Sequence, residues 1–203
     1  MTTRTGVDRT SVDEERGFTL IELLVYMALS IIVLSLIGGV LISTIATSRS
    51  VAELNRATAA SQLVASGIGS SVRNSVGTAV TAAGDTQLLV ATRLGGQTTA
   101  QVSCQAWFYT AANGGAIYYR SQPTGAPYIS IPSPTELAST GSGWIGAADG
   151  ILPVDGGPVF SSPTVGTVGL RFTSDTPPGS PETITSTSST SRNAAASPGA
   201  CFR

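Results

Sequence analysis

The stretch DEERGFTLIELLVYMALSIIVLSLIGGVLIS occupies residues 13–43 and carries the strongest structural signal in the chain. Charged side chains are frequent up to Arg16, whereas residues 23–42 contain no charge at all. A helix of that length rises about 30 Å, which matches the hydrocarbon thickness of a bilayer. One carboxylate, Glu22, lies at the start of this run, although a charge at a membrane centre costs roughly 2.5–3.5 kcal/mol. The run therefore predicts one membrane-spanning helix with an acidic residue near its beginning.

Two other interpretations of the apolar run fit less well. A secretory signal peptide has an apolar region of about 7–15 residues and a small-residue cleavage site. Here the run is longer, and residues 1–17 carry charges of both signs. A buried core helix is rarely apolar on all sides over such a length. Arginines flank the run on both sides, so charge alone leaves the direction of the helix across the membrane open.

Local helix chemistry gives one explanation for Glu22. The segment Thr19-Leu20-Ile21-Glu22 fits a capping box, in which Thr19 caps the helix and Glu22 reaches back to its amide. An acidic residue in the first turn also interacts favourably with the helix dipole, and each effect is worth about 1 kcal/mol or less. This explanation does not account for the Gly17-Phe18 pair that precedes the box.

The residues RGFTLIE, 16–22, followed by the apolar run, closely resemble the amino terminus of type IV prepilins and pseudopilins. The resemblance implies that a membrane-embedded prepilin peptidase cuts between Gly17 and Phe18 and methylates the new amino group of Phe18. It also implies that residues 1–17 form a cytoplasmic leader peptide and that residues 18–46 form the transmembrane and assembly helix. Everything after the span would then lie outside the cytoplasm, and Gly17 suits cleavage because an extended glycine backbone enters a protease cleft easily.

The same resemblance gives Glu22 a role in assembly. Cleavage creates an α-amino group at Phe18, and the amine of one subunit can pair with the Glu22 carboxylate of a neighbour. A buried charge left alone is strongly penalised, so such a pair would fix the axial register between subunits. The implied partners are prepilin peptidase, other pilin or pseudopilin subunits, an inner-membrane assembly platform and the lipid bilayer. The implied location is the cytoplasmic membrane, and after assembly a filament or the cell surface. Within the family, the segment is similar to minor pilins and to J-type pseudopilins.

Helical periodicity continues beyond the apolar run. Apolar or small side chains recur at steps of three and four residues, at Val51, Leu54, Thr58, Ser61, Val64, Ile68 and Val72. This pattern predicts one helix from Phe18 to about Val72, whose exported amphipathic half, residues 47–76, packs against a sheet. Gly67 and Gly69 predict weakened last turns, because glycine disfavours helix by about 1 kcal/mol.

Residues 77–203 predict a β-rich exported domain. Segments with the length and composition of strands are 86–93, 101–111, 116–122 and 167–174. The fold class is therefore α+β and pilin-like, with a long N-terminal helix packed on a mainly antiparallel sheet. Residues 121–158 predict a long surface loop with a short strand-like segment at 128–131. The Ser/Thr-rich tail leaves both an edge strand over 182–190 and disorder open.

The two cysteines of the chain are Cys104 and Cys201. In an exported domain they can form a disulfide, whereas in a cytosolic domain both would stay free. A bridge that closes a loop of roughly 100 residues stabilises the fold by up to about 4–5 kcal/mol in the chain-entropy model.

Composition argues against several function classes. Eleven Arg and no Lys or His stand against 12 acidic residues, and this near-neutral balance gives no basic footprint for nucleic acid. The lack of His and the low Cys count disfavour zinc or iron sites, and no cofactor or enzymatic activity is predicted. Four carboxylates of the exported part show no ordered pairing for hydrolysis: Asp149, Asp155, Asp175 and Glu182. Trp107, Tyr109, Tyr118 and Tyr119 fit cross-strand packing better than a ligand platform.

A second function remains open from the sequence. The chain could be a signal-anchored surface binding or adhesion protein that keeps residues 1–17 and never polymerises.

Overall fold

The computed structural model describes residues 19–94, 102–123, 126–175, 182–192 and 201. Its first element is the 54-residue helix α1, Leu20–Arg73, which confirms the predicted long helix. Thr19 begins it as a cap, because the Glu22 N–H donates to Thr19 Oγ1 at 3.3 Å. The chain divides into two compact units, residues 1–48 and 49–203, and α1 contributes to both.

The second unit contains the strands and a short helix, α2. The strands are β1 Ser75–Ala83, β2 Thr86–Leu94, β3 Val102–Thr110, β4 Ala116–Pro123, β5 Ile145–Asp149, β6 Ile151–Leu152, β7 Phe160–Thr164, β8 Thr167–Ser174 and β9 Ile184–Thr190, and α2 is Pro134–Ala138. The first sheet has the antiparallel order β1-β2-β3-β4-β5. In the second sheet, β8 pairs antiparallel with β6, β7 and β9. The predicted α+β class is therefore confirmed.

One face of the first sheet, here called the helix face, packs against the end of α1. Val64, Ile68 and Val72 follow one another at four-residue steps and are buried in the same cluster as Leu89 and Trp107. Alternating apolar side chains of β8 join this cluster: Val168, Leu170 and Phe172. The helical period of α1 and the two-residue period of the strands thus place their apolar side chains in one common core.

The helix continues through Gly67 and Gly69 to Arg73. Glycine at position 67 is explained by packing. The reason is a close approach between helix and sheet. A Cβ at position 67 would lie 2.7 Å from Trp107 Cη2, so the missing side chain makes room for the indole. The Trp107 Nε1–H also donates to Ser71 Oγ at 3.1 Å, which fixes the ring against the last turns of α1.

The opposite face of the first sheet, here called the outer face, is covered by residues 126–144, the covering segment. Ile129 and Trp144 are buried there against Leu88, Val90 and Phe108. The predicted loop 121–158 is therefore wrong as a plain loop, because it contains α2, β5 and β6, while 128–131 is not a strand. An apolar outer face must be covered to keep it from water, and this requirement orders a segment that lacks periodicity of its own.

Strand β1 was not predicted and begins two residues before the expected domain boundary at 77. Its sequence SVGTAVTAA combines two Val and two Thr, which favour strands, with one Gly and three Ala, which do not. It forms because it pairs along β2 from Ala83↔Thr86 to Ser75↔Arg93. For the Ser/Thr-rich tail, the sequence allowed either an edge strand over 182–190 or disorder, and the structure has strand β9 in this segment.

Two adjacent glycines in the β3–β4 turn allow a matched test of packing. Gly114 and Gly115 have φ of 85° and 86°, but a Cβ at 114 meets open space, whereas one at 115 collides with the Ile151 carbonyl oxygen. Gly115 O also accepts the Ile151 N–H at 3.2 Å. Gly114→Ala should destabilise the fold by about 1–2 kcal/mol through backbone strain alone. Gly115→Ala should cost roughly 2–4 kcal/mol more, because overpacking and the lost hydrogen bond add to that strain.

The measurement is urea unfolding of the full chain in detergent micelles, followed by tryptophan fluorescence. Equal midpoints for the two variants would contradict the close contact between the turn and β6.

Candidate functional site

The N-terminal site begins with the capped first turn of α1. Glu22 is exposed there, and its backbone N–H contacts both the side chain and the carbonyl of Thr19. The structure thus confirms Thr19 as the cap, which is one half of the predicted capping box. The Glu22 carboxylate forms no ion pair with any residue in the described part of the chain. Gly17 and Phe18, the predicted cleavage and methylation residues, lie outside the described residues.

The first half of α1 exposes its large apolar side chains on every side. Examples with at least half of the side-chain surface exposed are Leu24, Met27, Ile31, Leu34, Ile37 and Leu41. The helix is long and apolar enough to cross a membrane, and it passes Gly38 and Gly39 without a break. Removing such a surface from water is worth about 25 cal/mol per Å². These features indicate membrane anchoring.

The two cysteines form a disulfide on the outer face of the first sheet. Cys104 on β3 and Cys201 have Cα atoms 5.4 Å apart, and both residues are buried. The Ile129 N–H donates to the Cys201 carbonyl at 3.3 Å, so the same point also holds the covering segment. The bridge ties the end of the chain to the middle of the sheet.

The aromatic residues pack across strands. Trp107 and Tyr119 are opposite each other on β3 and β4, with ring centroids 4.7 Å apart. On the outer face, the ring of Trp144 meets Phe108 edge-on, at 5.9 Å between centroids. The guanidinium of Arg120 lies 5.8 Å from the Trp144 ring and 3.3 Å from Glu136, which ties α2 to the sheet.

Two of the predicted carboxylates, Asp149 and Asp175, are brought near each other, because the Asp175 N–H donates to the carbonyl of Gly150 at 2.6 Å. Asp155 pairs with Arg171 at 3.2 Å on the second sheet, and Asp149 ends β5 in the first. Asp175 and Glu182 flank a segment outside the described ranges. Within those ranges, no group of three His, Cys, Asp or Glu side chains is arranged to hold a metal ion.

Comparison with known proteins places the N-terminal residues in a recognised class. Residues 14–38 match the family model described as the prokaryotic N-terminal methylation motif. The match includes the Gly17-Phe18 junction, Glu22 and most of the apolar run. No curated protein and no solved structure matched the chain. The motif and the apolar helix support a type IV pilin-like, membrane-anchored substrate of prepilin peptidase, and type IV pilins are structural proteins.

Tyr109, in the second unit, has a shifted pKa that affects stability. Burial raises the pKa of its phenol above the ordinary 10.0, and the nearby Asp85 carboxylate raises it further. The phenol oxygen is buried without a hydrogen-bond partner among the described residues. The folded state therefore binds this proton more tightly than the unfolded state does. Its contribution to stability is complete below about pH 10 and is lost as the pH rises through the raised folded pKa.

Tyr109→Phe should therefore keep more of its stability above pH 10 than the parent, because it removes the group that must deprotonate. Near neutral pH its free energy of unfolding should stay within about 1 kcal/mol of the parent, since no hydrogen bond is lost. Urea unfolding of the full chain in micelles at a series of pH values measures both effects. Tyr128→Phe, which removes an exposed phenol, is the control and should lose stability at alkaline pH as the parent does. If Tyr109→Phe loses as much stability above pH 10 as the parent, the assignment to Tyr109 is refuted.

Proposed function

We propose that this chain is a subunit of a type IV pilus or of a type II secretion pseudopilus. The observation that carries the proposal is the methylation motif at residues 14–38, which coincides with the start of a helix able to span a membrane. A long helix whose exported end packs on an antiparallel sheet supports the same function. The segment 17–35 is similar to minor pilins and J-type pseudopilins, and we assign the chain to that group.

In this proposal the subunit is made as a precursor with residues 1–17 in the cytoplasm. Prepilin peptidase cleaves between Gly17 and Phe18 and methylates the Phe18 amine, and the second unit lies outside the cytoplasm. The Cys104–Cys201 disulfide supports this orientation, because structural disulfides persist in oxidising compartments and are rare in the cytosol.

Glu22 then acts in assembly through its carboxylate. Its backbone N–H is occupied by Thr19, while its side chain is exposed on the first turn of α1. The carboxylate of one subunit is therefore available to the methylated Phe18 amine of the next. Losing one partner of a buried ion pair costs about 3–5 kcal/mol, so the pair selects the axial offset at which both charges are satisfied.

Processing can be tested by mass spectrometry of the membrane-extracted protein. In cells that contain prepilin peptidase, the mature chain should begin at Phe18 and carry one N-methyl group. Gly17→Val should leave the precursor uncut, because a branched side chain restricts the extended backbone that the protease must accept. An intact Met1 terminus in the parent chain would instead favour a signal-anchored surface protein that is not polymerised.

Assembly can be tested with two substitutions in the first turn. Glu22→Ala should insert and be cleaved like the parent, but its incorporation into filaments should fall at least tenfold. A tenfold loss corresponds to about 1.4 kcal/mol, which is well below the cost of leaving a buried charge unpaired. Thr19→Ala removes the cap and keeps the carboxylate, so it should still incorporate. The readout is the amount of subunit in sheared filaments relative to the membrane fraction.

Glu53→Gln removes an acidic side chain from the exported part of α1 and controls for a general effect of losing one negative charge. If Glu22→Ala incorporates normally while Thr19→Ala does not, capping rather than pairing explains the residue.

A further inference from the structure

The second unit contains a cleft that is separate from the N-terminal residues assigned to assembly. It lies at the outer face of the first sheet, between the end of the β3–β4 hairpin and the part of the covering segment that forms α2, and its volume is about 280 Å³. Ligand sites for drug-sized molecules usually measure roughly 300–1,000 Å³. The cleft is therefore sized for one small ring.

A polar row forms one side of the cleft. Thr86, Thr110, Ala116 and Asp149 are directly opposite one another on β2, β3, β4 and β5. Residues opposite each other across an antiparallel pair project from the same face, so three polar side chains stand in one line there. Asn113, in the left-handed conformation at φ 54°, adds its amide from the hairpin turn.

The other side of the cleft is apolar. Pro134, Leu137 and Ala138 line it from α2, and the half-buried Tyr118 ring joins them from β4. A polar row facing an apolar wall matches a ligand that has hydrogen-bonding edges and carbon-bound faces. Most small-ligand sites combine an apolar lining with a few placed polar groups in this way.

The hydroxyls of the row are already partly oriented. Thr86 Oγ1 donates to the Ala83 carbonyl at 2.7 Å, so its lone pairs remain for an incoming donor. Thr110 Oγ1 accepts the Ala112 N–H at 3.2 Å, so its own proton can be donated. Together with the Asp149 carboxylate, the row offers acceptors and a donor at neighbouring positions. A hydroxyl group of a ligand can donate one hydrogen bond and accept another at the same time, so it can pair with an acceptor and with the donor of this row.

Charge narrows the ligand class further. Asp149 is the charged residue among those that line the cleft, and no Arg accompanies it there. An anionic ligand would meet this carboxylate without a cation to offset it. A cation would gain little, because an ion pair with an exposed carboxylate is worth at most about 1 kcal/mol.

We propose that this cleft binds a neutral sugar ring, with its hydroxyls on the Thr86–Thr110–Asp149 row and one carbon-bound face on Pro134, Leu137 and Tyr118. The cleft lies wholly within the second unit, so this binding is independent of the N-terminal assembly residues. The inference goes beyond the proposed function and stands even if the subunit does not polymerise.

The test is saturation-transfer NMR on the full chain in nanodiscs. The probes are glucose, galactose, mannose and N-acetylglucosamine, each at about 10 mM, a concentration that reveals even millimolar binding. Glucuronic acid is the anionic comparison. At least one neutral sugar should receive saturation, and glucuronic acid should receive less than a third of that signal. If no neutral sugar receives saturation, or if glucuronic acid binds best, the proposal is wrong.

Two variants locate the site. Thr110→Val is nearly isosteric and removes the hydroxyl, and Asp149→Asn replaces a carboxylate acceptor by an amide; each should reduce the sugar signal at least threefold. Asp155→Asn changes a carboxylate between β6 and β7 that pairs with Arg171 and does not line the cleft, so it should leave the signal unchanged. Thermal unfolding of each variant establishes that its fold is intact. If one of the two cleft variants is destabilised, the sugar signal of the more stable one decides whether the site is in the cleft. An unchanged signal in that variant would place the binding elsewhere and overturn the assignment.

Discussion

The packing of the last turns of α1 on the helix face of the first sheet is the contact on which the second unit depends. Val64, Ile68 and Val72 supply the apolar stripe, and Trp107 fills the space that Gly67 leaves open. Since the indole N–H donates to Ser71, the ring is fixed both by packing and by a buried hydrogen bond. Strands of both sheets bury side chains in this one cluster, so the last turns of α1 lie at the centre of the core of the second unit.

The outer face of the same sheet is covered differently, because α2, the helix that lies there, is only five residues long. The covering segment buries Ile129 and Trp144 there, with Ile131 and Leu137 partly buried against the same cluster, and it is held at a few separate points. The disulfide between Cys104 and Cys201 brings the end of the chain to the sheet, and the Cys201 carbonyl holds the backbone of Ile129. A cover attached at separate points leaves spaces between them, and the cleft beside α2 is such a space.

Features set by neighbouring residues could be predicted from the sequence, whereas features set by distant ones could not. The apolar run and the capped first turn at Glu22 are local, so pattern and spacing were sufficient to find them. The sequence indicates only that Gly67 weakens an isolated helix; the room that it gives Trp107 depends on a strand distant in sequence. The covering segment has no period of its own, and the burial of Ile129 depends on a sheet formed elsewhere. The polar row at Asp149 requires the register of four strands, which no single segment contains.

Under the proposed function, the first turn of α1 acts through a difference between two surroundings. Lipid tails are about as apolar as the side chains of a neighbouring helix, so the apolar surface of α1 gains little when it moves from bilayer to filament. Small polar terms then decide where the helix is most stable. The Glu22 carboxylate raises the free energy of the membrane state, and pairing with the Phe18 amine of a neighbour lowers that of the filament. Since the pair forms at one axial offset alone, the same residue that favours leaving the membrane also sets the position at which the next subunit is held.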